Sequence, residues 1–385
     1  MNIVIAGGGT GGHLYPCLAL AHTFIERSAK TEILFIGTAA GIEARVVPNE
    51  GFQLKSIVAQ GFVGKPILGK VQALCCFLAG IFQAISHLKQ FSPDLVIGIG
   101  GYTSGPVMMA ALILRIKRVI LEPNLIPGMM NKLLAPFAHL TVTAFEETKH
   151  DLRAKNIACL GVPVRAGILG VSAASLPHPP PYPTLEGDRR LRGEGYRPKT
   201  LLVLGGSQGA HSINQALIHA LPFLENAAIT IQHQTGEKDY DAVTAAYAKY
   251  KMNARVFKFI ENMAEAYSES DFVISRAGAG TLSELALVGL PALLIPFPHA
   301  KAHQEKNANL FVKAGAAEMI LDCDLTGEKI AGQILSWVNN PNKRSAMAEA
   351  TKKLGHPHAA NEIVSACFSL VRGDTAHSLP PCGGE

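Results

Sequence analysis

The first 13 residues of the chain read Met-Asn-Ile-Val-Ile-Ala-Gly-Gly-Gly-Thr-Gly-Gly-His. Asn2–Ala6 is a short, mostly apolar run with β-branched residues, which predicts a buried strand. The glycines that follow let the backbone turn tightly, and a helix is predicted to begin beside them. The first N–H groups of such a helix lack partners within it and lie at the positive end of its dipole. This stretch therefore predicts an anion-binding loop at the end of a strand.

The order of strand, glycine loop and helix recurs along the chain. It begins again at Leu201–Gly209, and glycine loops also follow two other predicted strands. The ten predicted strands are Asn2–Ala6, Glu32–Ile36, Leu95–Ile99, Arg118–Leu121, Leu140–Thr143, Thr200–Leu204, Ile229–Gln232, Arg255–Phe257, Phe272–Ser275 and Ala292–Ile295. Helix-length segments separate most of them, which is the pattern of a parallel sheet covered on both faces.

The predicted fold class is α/β, with two Rossmann-like domains facing across a cleft. A chain of 385 residues exceeds the usual size of a single hydrophobic core. We expect an N-terminal domain at 1–165, a proline-rich linker at 166–199, a C-terminal domain at 200–357 and a disordered tail at 373–385. Ligands of such sheets bind at the carboxyl ends of the strands, so the active site is expected in the cleft between the domains.

Composition excludes several classes of protein. Hydrophobic residues make up 48% and charged residues 17%, which excludes a disordered chain. The net charge of +5 is dispersed, so it fits small anionic ligands or an anionic membrane surface and indicates no nucleic acid. Seven cysteines without a paired spacing indicate reduced thiols in the cytosol. The N-terminus shows no pattern of a cleavable signal peptide, so we expect none.

One apolar stretch, Ala73–Ile85, has two interpretations. It is shorter than the roughly 20 residues that span a bilayer, so its length favours a buried helix of an α/β domain. The alternative is a helix lying in the membrane interface. In that case the flanking Lys65, Lys70 and Lys89 would meet anionic headgroups.

Two further motifs suggest a cofactor or a metal and are discounted. Gly7, Gly9 and Gly12 match the dinucleotide pattern GxGxxG, but the second predicted strand ends in Gly37-Thr38 without the acid that holds a ribose. Residues 322–324 read Asp-Cys-Asp, a metal-binding pattern, but they precede a helix-like stretch and are interpreted as a helix start. We therefore expect neither a cofactor nor a metal site.

Two side chains have both a structural and a functional interpretation. His13 is either a structural residue near a helix start or a general base, since an imidazole can accept a proton near neutral pH. Thr281 and Glu284 have the spacing of a capping box, which favours a structural role for Glu284. A carboxylate at that helix end can also accept hydrogen bonds from ribose hydroxyls.

Four motifs in one order give the sequence a specific resemblance. They are Gly8-Gly9-Thr10-Gly11-Gly12-His13, Gly100-Gly101-Tyr102-Thr103-Ser104-Gly105-Pro106, Gly205-Gly206-Ser207-Gln208-Gly209-Ala210 and the loop at 275–284. Together they closely resemble the MurG family of peptidoglycan synthesis. The resemblance implies a GT-B fold and an inverting transferase that needs no cofactor. Such an enzyme moves N-acetylglucosamine from UDP-N-acetylglucosamine to undecaprenyl-linked lipid I, which yields lipid II.

The resemblance also implies a place in the cell and further partners. The acceptor is a membrane lipid, so the family is peripheral on the cytoplasmic side of the inner membrane. The N-terminal domain would face the acceptor and an anionic membrane surface, and the segment 358–372 would return to that domain. Other cell-wall enzymes are further candidate partners.

The site residues carry over position by position. In the N-terminal domain, Thr10, Gly11 and Gly12 match the loop that meets phosphate and sugar, Asn124 matches a donor-sugar contact, Arg165 matches the arginine beside the hinge, and His13 resembles the usual candidate base. In the second domain, Ser207 matches a donor contact and Ile260 the residue whose backbone meets uracil. Ala279, Gly280, Thr281, Leu282, Ser283 and Glu284 match the diphosphate and ribose loop, and Gln304 a residue near the donor sugar.

Two departures from the family pattern leave alternative functions open. Residues 121–124 read Leu-Glu-Pro-Asn where the family usually has His-Glu-Gln-Asn, and Val162 replaces the asparagine of a Gly-Asn-Pro hinge. One alternative is a UDP-N-acetylglucosamine 2-epimerase or another UDP-sugar transferase. A second is a degenerate homologue that binds the nucleotide sugar without turnover.

Overall fold

The computed structural model describes residues 1–9, 11–61, 66–171, 198–206, 209–298 and 303–373. The predicted linker falls mostly, and the predicted tail almost entirely, outside these residues. The chain divides into two compact units. Unit 1 comprises Met1–Arg165 and the segment that begins at His356, and unit 2 comprises Ala166–Gly355.

Unit 1 contains a seven-stranded parallel sheet with the strand order β3-β2-β1-β4-β5-β6-β7. Its elements in chain order are β1 (Asn2–Ala6), α1 (Gly11–Arg27), β2 (Glu32–Gly37), α2 (Glu43–Asn49), β3 (Gln53–Ser56), α3 (Ile67–Phe91), β4 (Leu95–Gly98), α4 (Gly101–Ile113), β5 (Lys117–Glu122), α5 (Met129–Leu134), β6 (Leu140–Thr143) and β7 (Ile157–Cys159). The central strands are buried on both faces, as expected for a parallel sheet covered by helices.

Unit 2 contains a six-stranded parallel sheet with the order β10-β9-β8-β11-β12-β13. Its elements are α6 (Ala166–Leu169), β8 (Lys199–Leu204), α7 (His211–Leu224), β9 (Ile229–Gln234), α8 (Tyr240–Lys249), β10 (Ala254–Phe257), α9 (Met263–Ser268), β11 (Phe272–Ser275), α10 (Ala279–Val288), β12 (Ala292–Leu294), α11 (His303–Lys313), β13 (Ala317–Met319), α12 (Gly327–Asn339) and α13 (Pro341–Lys352). Trp337 and Phe272 pack edge to face in its core.

The last helix, α14 (Ala359–Arg372), belongs to unit 1. Its apolar side packs on α1 and adds Ile363 and Cys367 to the core of that unit. The ammonium group of Lys117 donates to the carbonyl oxygens of Leu370 (2.8 Å) and Val371 (2.9 Å), so a cation satisfies the carboxyl end of the helix.

The apolar stretch at residues 73–85 lies within α3, which is 25 residues long. One side of α3 packs on α4, where Phe77 approaches Gly105. Another side carries exposed apolar side chains, so the helix is buried only in part and the interpretation of a buried helix is wrong. We call this side the apolar stripe of α3, and its members are Leu68, Val71, Leu74, Leu78 and Phe82. Within the described residues, Leu68–Phe91 alone is long and apolar enough to cross a membrane, a test that core helices of soluble proteins also pass.

Candidate functional site

The first glycine loop leaves β1 at the carboxyl edge of the unit 1 sheet. Gly11 opens α1 and is buried, whereas Gly12 is exposed and has open space where a side chain would be. His13 follows on the same turn, and burial lowers the pKa of its imidazole. Thr10 lies outside the described residues. The structure thus places three of the four predicted loop residues on the first turn of α1, with a histidine that is neutral at neutral pH.

The second glycine loop, between β4 and α4, lies against the first. A Cβ atom on Gly9 would lie 2.9 Å from the ring of Tyr102, and one on Gly101 would lie 3.5 Å from the carbonyl oxygen of Gly8. A Cβ at Gly9 would collide with this ring, so the position favours glycine, whereas the approach of Gly101 to Gly8 is ordinary van der Waals contact. The two loops therefore lie side by side at the carboxyl edge of the sheet.

Glu122 organises the loop that follows β5. One carboxylate oxygen accepts hydrogen bonds from the backbone N–H (3.0 Å) and the side-chain amide (3.2 Å) of Asn124. The other accepts from the N–H of Gly128 and from the amide of Asn131, both at 2.8 Å. Burial raises the pKa of Glu122, and the four hydrogen bonds oppose this shift. All four partners donate, so the loop is built for a carboxylate, and that carboxylate fixes the predicted site residue Asn124.

This arrangement explains how the loop accommodates Leu121 and Pro123. Leu121 is buried with the core side chains of unit 1, and its carbonyl oxygen accepts from the amide of Asn131 at 3.2 Å. Glu122 takes the N–H of Asn124, so the N–H that a proline lacks at position 123 is not needed for this contact. The backbone of the loop is thus compatible with both Leu121 and Pro123.

Arg165 lies beside the first turns of α1. Its guanidinium carbon is 4.4 Å from the centroid of the Tyr15 ring, a cation–π contact. The same ring lies next to Gly11, since a Cβ atom there would come within 3.2 Å of it. Val162, which replaces the hinge asparagine, is buried. Two predicted site residues therefore lie at the same tyrosine ring: Arg165 contacts it, and Gly11 lies next to it.

In unit 2, Gln234 connects the glycine loop after β8 with Ile260. Its side-chain amide donates to the carbonyl oxygen of Gly206 (2.8 Å), and its carbonyl oxygen accepts from the N–H of Ile260 (2.9 Å). Ser207 lies outside the described residues. No local sequence pattern indicates this role for Gln234, because Gly206, Gln234 and Ile260 are brought together only by the pairing of β8, β9 and β10.

The predicted capping box at Thr281 and Glu284 is wrong. Helix α10 begins at Ala279, with Gly278 in an extended conformation at the N-cap, so both residues lie inside the helix. The carboxylate of Glu284 instead accepts a hydrogen bond of 2.9 Å from the hydroxyl of the buried Tyr267. Tyr267 thereby orients Glu284, a role that the sequence analysis does not predict for Tyr267.

The residues predicted to meet the diphosphate and ribose occupy the first two turns of α10. They divide by exposure: Ala279 and Leu282 are buried, whereas Gly280, Thr281, Ser283 and Glu284 are partly exposed. The buried pair can offer a ligand only its backbone. The first turn of a ten-residue helix supplies backbone N–H donors at the positive end of its dipole.

Gln304 and Arg276 fix the turn after β12 from two directions. The carbonyl oxygen of the Gln304 side chain accepts from the N–H of Phe297 at 2.9 Å. Arg276 donates to the carbonyl oxygens of Ile295 (3.1 Å) and Pro296 (3.3 Å), and its guanidinium carbon lies 5.4 Å from the centroid of the Phe297 ring. The turn beside the predicted residue Gln304 is therefore held by an arginine that follows β11 directly.

The Asp-Cys-Asp motif serves a structural role in the described residues. Asp322 forms an ion pair with Arg276 and accepts from the hydroxyl of Ser212 at 2.7 Å. The helix that the sequence predicts to start at Asp324 begins later. Helix α12 starts at Gly327, and the side chain of Thr326 caps it. Within the described ranges, no group of three His, Cys, Asp or Glu side chains is placed to hold a metal ion.

Comparison with known proteins assigns this pair of glycine-loop units to a family. The N-terminal domain of glycosyltransferase family 28 matches residues 3–143, and the C-terminal domain of that family matches residues 200–363. The chain thus belongs to glycosyltransferase family 28, and the predicted α/β fold of the GT-B kind is confirmed.

Individual relatives narrow the assignment. The UDP-N-acetylglucosamine–N-acetylmuramyl-(pentapeptide) pyrophosphoryl-undecaprenol N-acetylglucosamine transferase of Syntrophus aciditrophicus is 40% identical, over 97% of this chain and 99% of that protein. The crystal structure of Acinetobacter baumannii MurG matches with a TM-score of 0.71 and 28% identity, over 97% of this chain and 99% of that one. The chain is a member of the MurG family of these transferases.

A more distant structure shares the fold alone. A putative UDP-N-acetylglucosamine 2-epimerase from Listeria monocytogenes has a TM-score of 0.68 at 15% identity, over 97% of this chain and 96% of that one. The likeness shows that the architecture serves more than one kind of protein, and it carries no argument about the reaction.

Replacing Glu122 by glutamine tests the organisation of the loop after β5. A glutamine amide would place an NH₂ group against donors, so Glu122→Gln is expected to lower the free energy of unfolding by about 1–3 kcal/mol. Urea denaturation of the full chain measures the loss. The exposed Glu147→Gln is the control and should change stability little. Equal stabilities of the two variants would contradict the role of Glu122.

Proposed function

We propose that this chain transfers N-acetylglucosamine from UDP-N-acetylglucosamine to undecaprenyl-pyrophosphoryl-N-acetylmuramoyl-pentapeptide and so forms lipid II. The observation that carries the proposal is the identity of 40% with a transferase of this name over nearly the full length of both chains. The match covers 97% of this chain, so both glycine-loop units have a counterpart in that transferase.

The donor fits the carboxyl edge of unit 2. The first turn of α10 offers backbone N–H groups to a diphosphate, and the Glu284 carboxylate is oriented by Tyr267 to accept from ribose hydroxyls. Ile260 and the loop containing Gly206 are held together by Gln234. Helix amides at this edge would stabilise the charge on departing UDP, a task that a metal performs in other transferases.

The acceptor hydroxyl would attack the anomeric carbon in a single displacement. The new bond forms between that oxygen and the anomeric carbon as the bond to UDP breaks, so the configuration inverts. His13 accepts the proton of the attacking hydroxyl, and its lowered pKa keeps the imidazole neutral and ready for this role. Gly11 and Gly12 leave backbone donors beside it for the phosphate and sugar of the acceptor.

The transfer reaction itself is the test of the proposed function. Purified chain receives radiolabelled UDP-N-acetylglucosamine and a lipid I analogue, and label in the lipid fraction is compared with UDP released. Equal amounts of both are the expected result. Epimerised sugar nucleotide without labelled lipid, or binding of the nucleotide sugar without either product, would contradict the proposal and favour one of the two alternatives.

Replacing His13 tests its role as the base. His13→Ala is expected to lower kcat by about 100-fold or more, because general base catalysis contributes on that scale. In the intact chain kcat/KM should fall only as the pH drops through a pKa below the usual value of about 6.5. His13→Ala should lose this acid limb and retain UDP binding.

A matched control lies on the same helix. His22 is exposed on α1 and pairs with Glu50, so His22→Ala should keep both turnover and the acid limb. Unchanged turnover in His13→Ala, or equal effects of the two substitutions, would remove His13 from the mechanism.

We also infer that the chain works at the cytoplasmic surface of the membrane, because the acceptor carries an undecaprenyl chain that resides there. The apolar stripe of α3 supports this location. Leu68 is 86% and Phe82 is 73% exposed, which is unusual for side chains of this kind in water. Lys70 and Lys89 on the same helix are exposed and suit anionic headgroups. The other side of α3 packs on α4, so the helix fits a peripheral position better than a spanning one.

Substituting Phe82 tests the membrane contact. Phe82→Asp removes an apolar contact and adds repulsion from anionic lipid, so binding to phosphatidylglycerol-containing vesicles should weaken at least about tenfold. Turnover of a water-soluble acceptor analogue should persist. Phe223→Asp is the control, since Phe223 is 54% exposed in unit 2. Equal vesicle binding by both variants would contradict a membrane contact through α3.

A further inference from the structure

Glu43, the first residue of α2, is a fully buried carboxylate in unit 1. One oxygen accepts hydrogen bonds from the N–H (2.9 Å) and the hydroxyl (2.8 Å) of Thr38. The other accepts from the N–H of Gly9 at 2.8 Å. A buried carboxylate is costly unless its lone pairs are satisfied, and here three donors from two separate loops converge on it.

Three glycines make room for this carboxylate. A Cβ atom on Gly8, Gly37 or Gly41 would come under 3.0 Å from atoms of the Glu43 side chain, a distance that real Cβ atoms essentially never show. Gly8 lies in the loop after β1, Gly37 is the last residue of β2, and Gly41 lies in the connection between β2 and α2. The local backbone is therefore shaped around Glu43, and a larger residue at any of these positions would displace it.

Gly9 is held from two sides by these contacts. Its N–H points to Glu43, and the position of its missing Cβ faces the ring of Tyr102 from the second glycine loop. Its φ of +82° lies in the left-handed region that favours glycine. Two residues later α1 begins at Gly11. The contact with Glu43 thus anchors the backbone two residues before the start of the helix that carries His13.

The charge of Glu43 alone would oppose the proposed reaction. The acceptor carries a pyrophosphate, and a carboxylate bonded to the loop that receives it repels that group. The Gly9 N–H is also used by Glu43 and is not offered to a ligand. A favourable effect of Glu43 on the reaction must therefore come from the position it gives to the loop.

We propose that Glu43 is a positioning residue for the acceptor. It anchors the first glycine loop through the Gly9 N–H and so presents the first turn of α1, with His13, to the acceptor. This inference rests on the proposed transfer reaction. Glu43 lies on α2, 34 positions along the chain from Gly9. Its proposed role in turnover requires no contact with either substrate.

Glu43→Gln and Thr38→Val separate anchoring from stability. Glu43→Gln can keep an oxygen toward Thr38 but sets an NH₂ group against the Gly9 N–H, so the loop loses its anchor. Thr38→Val removes one buried hydrogen bond to the same carboxylate and leaves the Gly9 contact and the charge in place. Urea denaturation of both full-length variants shows whether each folds.

Steady-state kinetics with the lipid I analogue then measure the effect. Glu43→Gln is expected to lower kcat/KM for the acceptor by about 10- to 100-fold, since small misplacements of catalytic groups cost this much. The Kd for UDP should stay unchanged, and amide exchange in residues 7–12 should speed up. Thr38→Val should retain kcat/KM and slow exchange there.

Several outcomes would overturn the proposal. They are a kcat/KM of Glu43→Gln equal to that of Thr38→Val, a gain in acceptor affinity as expected from charge alone, and amide exchange in residues 7–12 that is unchanged by Glu43→Gln. If the Glu43 variant does not fold, Gly8→Ala offers a second route, because its Cβ would push the carboxylate away from Gly9. An intact chain that transfers no sugar would instead refute the proposed function and leave the anchoring visible in amide exchange.

Discussion

The structure depends on the close approach of backbone segments at the carboxyl edges of the two parallel sheets. In unit 2, a Cβ atom on Gly209 would collide with the carbonyl oxygen of Thr235, and one on Gly205 would collide with the backbone N–H of Ala210. In unit 1, a Cβ atom on Gly101 would lie 3.5 Å from the carbonyl oxygen of Gly8, and one on Gly9 would collide with the ring of Tyr102. Because these glycines carry no side chain, backbone N–H groups and helix N-termini remain as the chemical groups of the edge. The proposed recognition of anions rests on these groups.

The residues proposed to recognise ligands are held by a second set of polar side chains. Glu122 fixes the loop of Asn124, Gln234 connects Gly206 with Ile260, and Tyr267 orients Glu284. Each of these three is buried and each forms its hydrogen bonds with complementary partners. This arrangement restricts the motion of the proposed ligand-binding groups before a substrate arrives, which would lower the entropic cost of the proposed reaction. It also shows why Leu121 and Pro123 are compatible with the loop, since the contacts belong to Glu122 and Asn124.

Much of the fold follows from local sequence patterns, whereas the supporting contacts do not. All ten predicted strands occur, because apolar runs bounded by glycine or proline are strong local signals. Local patterns do not predict β3, because Gln53–Ser56 is a polar edge strand, nor β7 and β13, which have only three residues each. The spacing of Thr281 and Glu284 predicts a cap, but the helix begins earlier, at Ala279 with Gly278 as its N-cap. Glu43, Gln234 and Tyr267 act across 17 to 34 positions of the chain, a distance that no local pattern reports.

The proposed transfer requires that the carboxyl edge of unit 2 binds the nucleotide. Amide hydrogen exchange of the full chain, measured with and without saturating UDP, tests this requirement. We expect slower exchange at residues 258–262 and 276–284, where Ile260 and the start of α10 lie, and no change at residues 7–12. Protection confined to the loop at residues 7–12, with none at the start of α10, would contradict it.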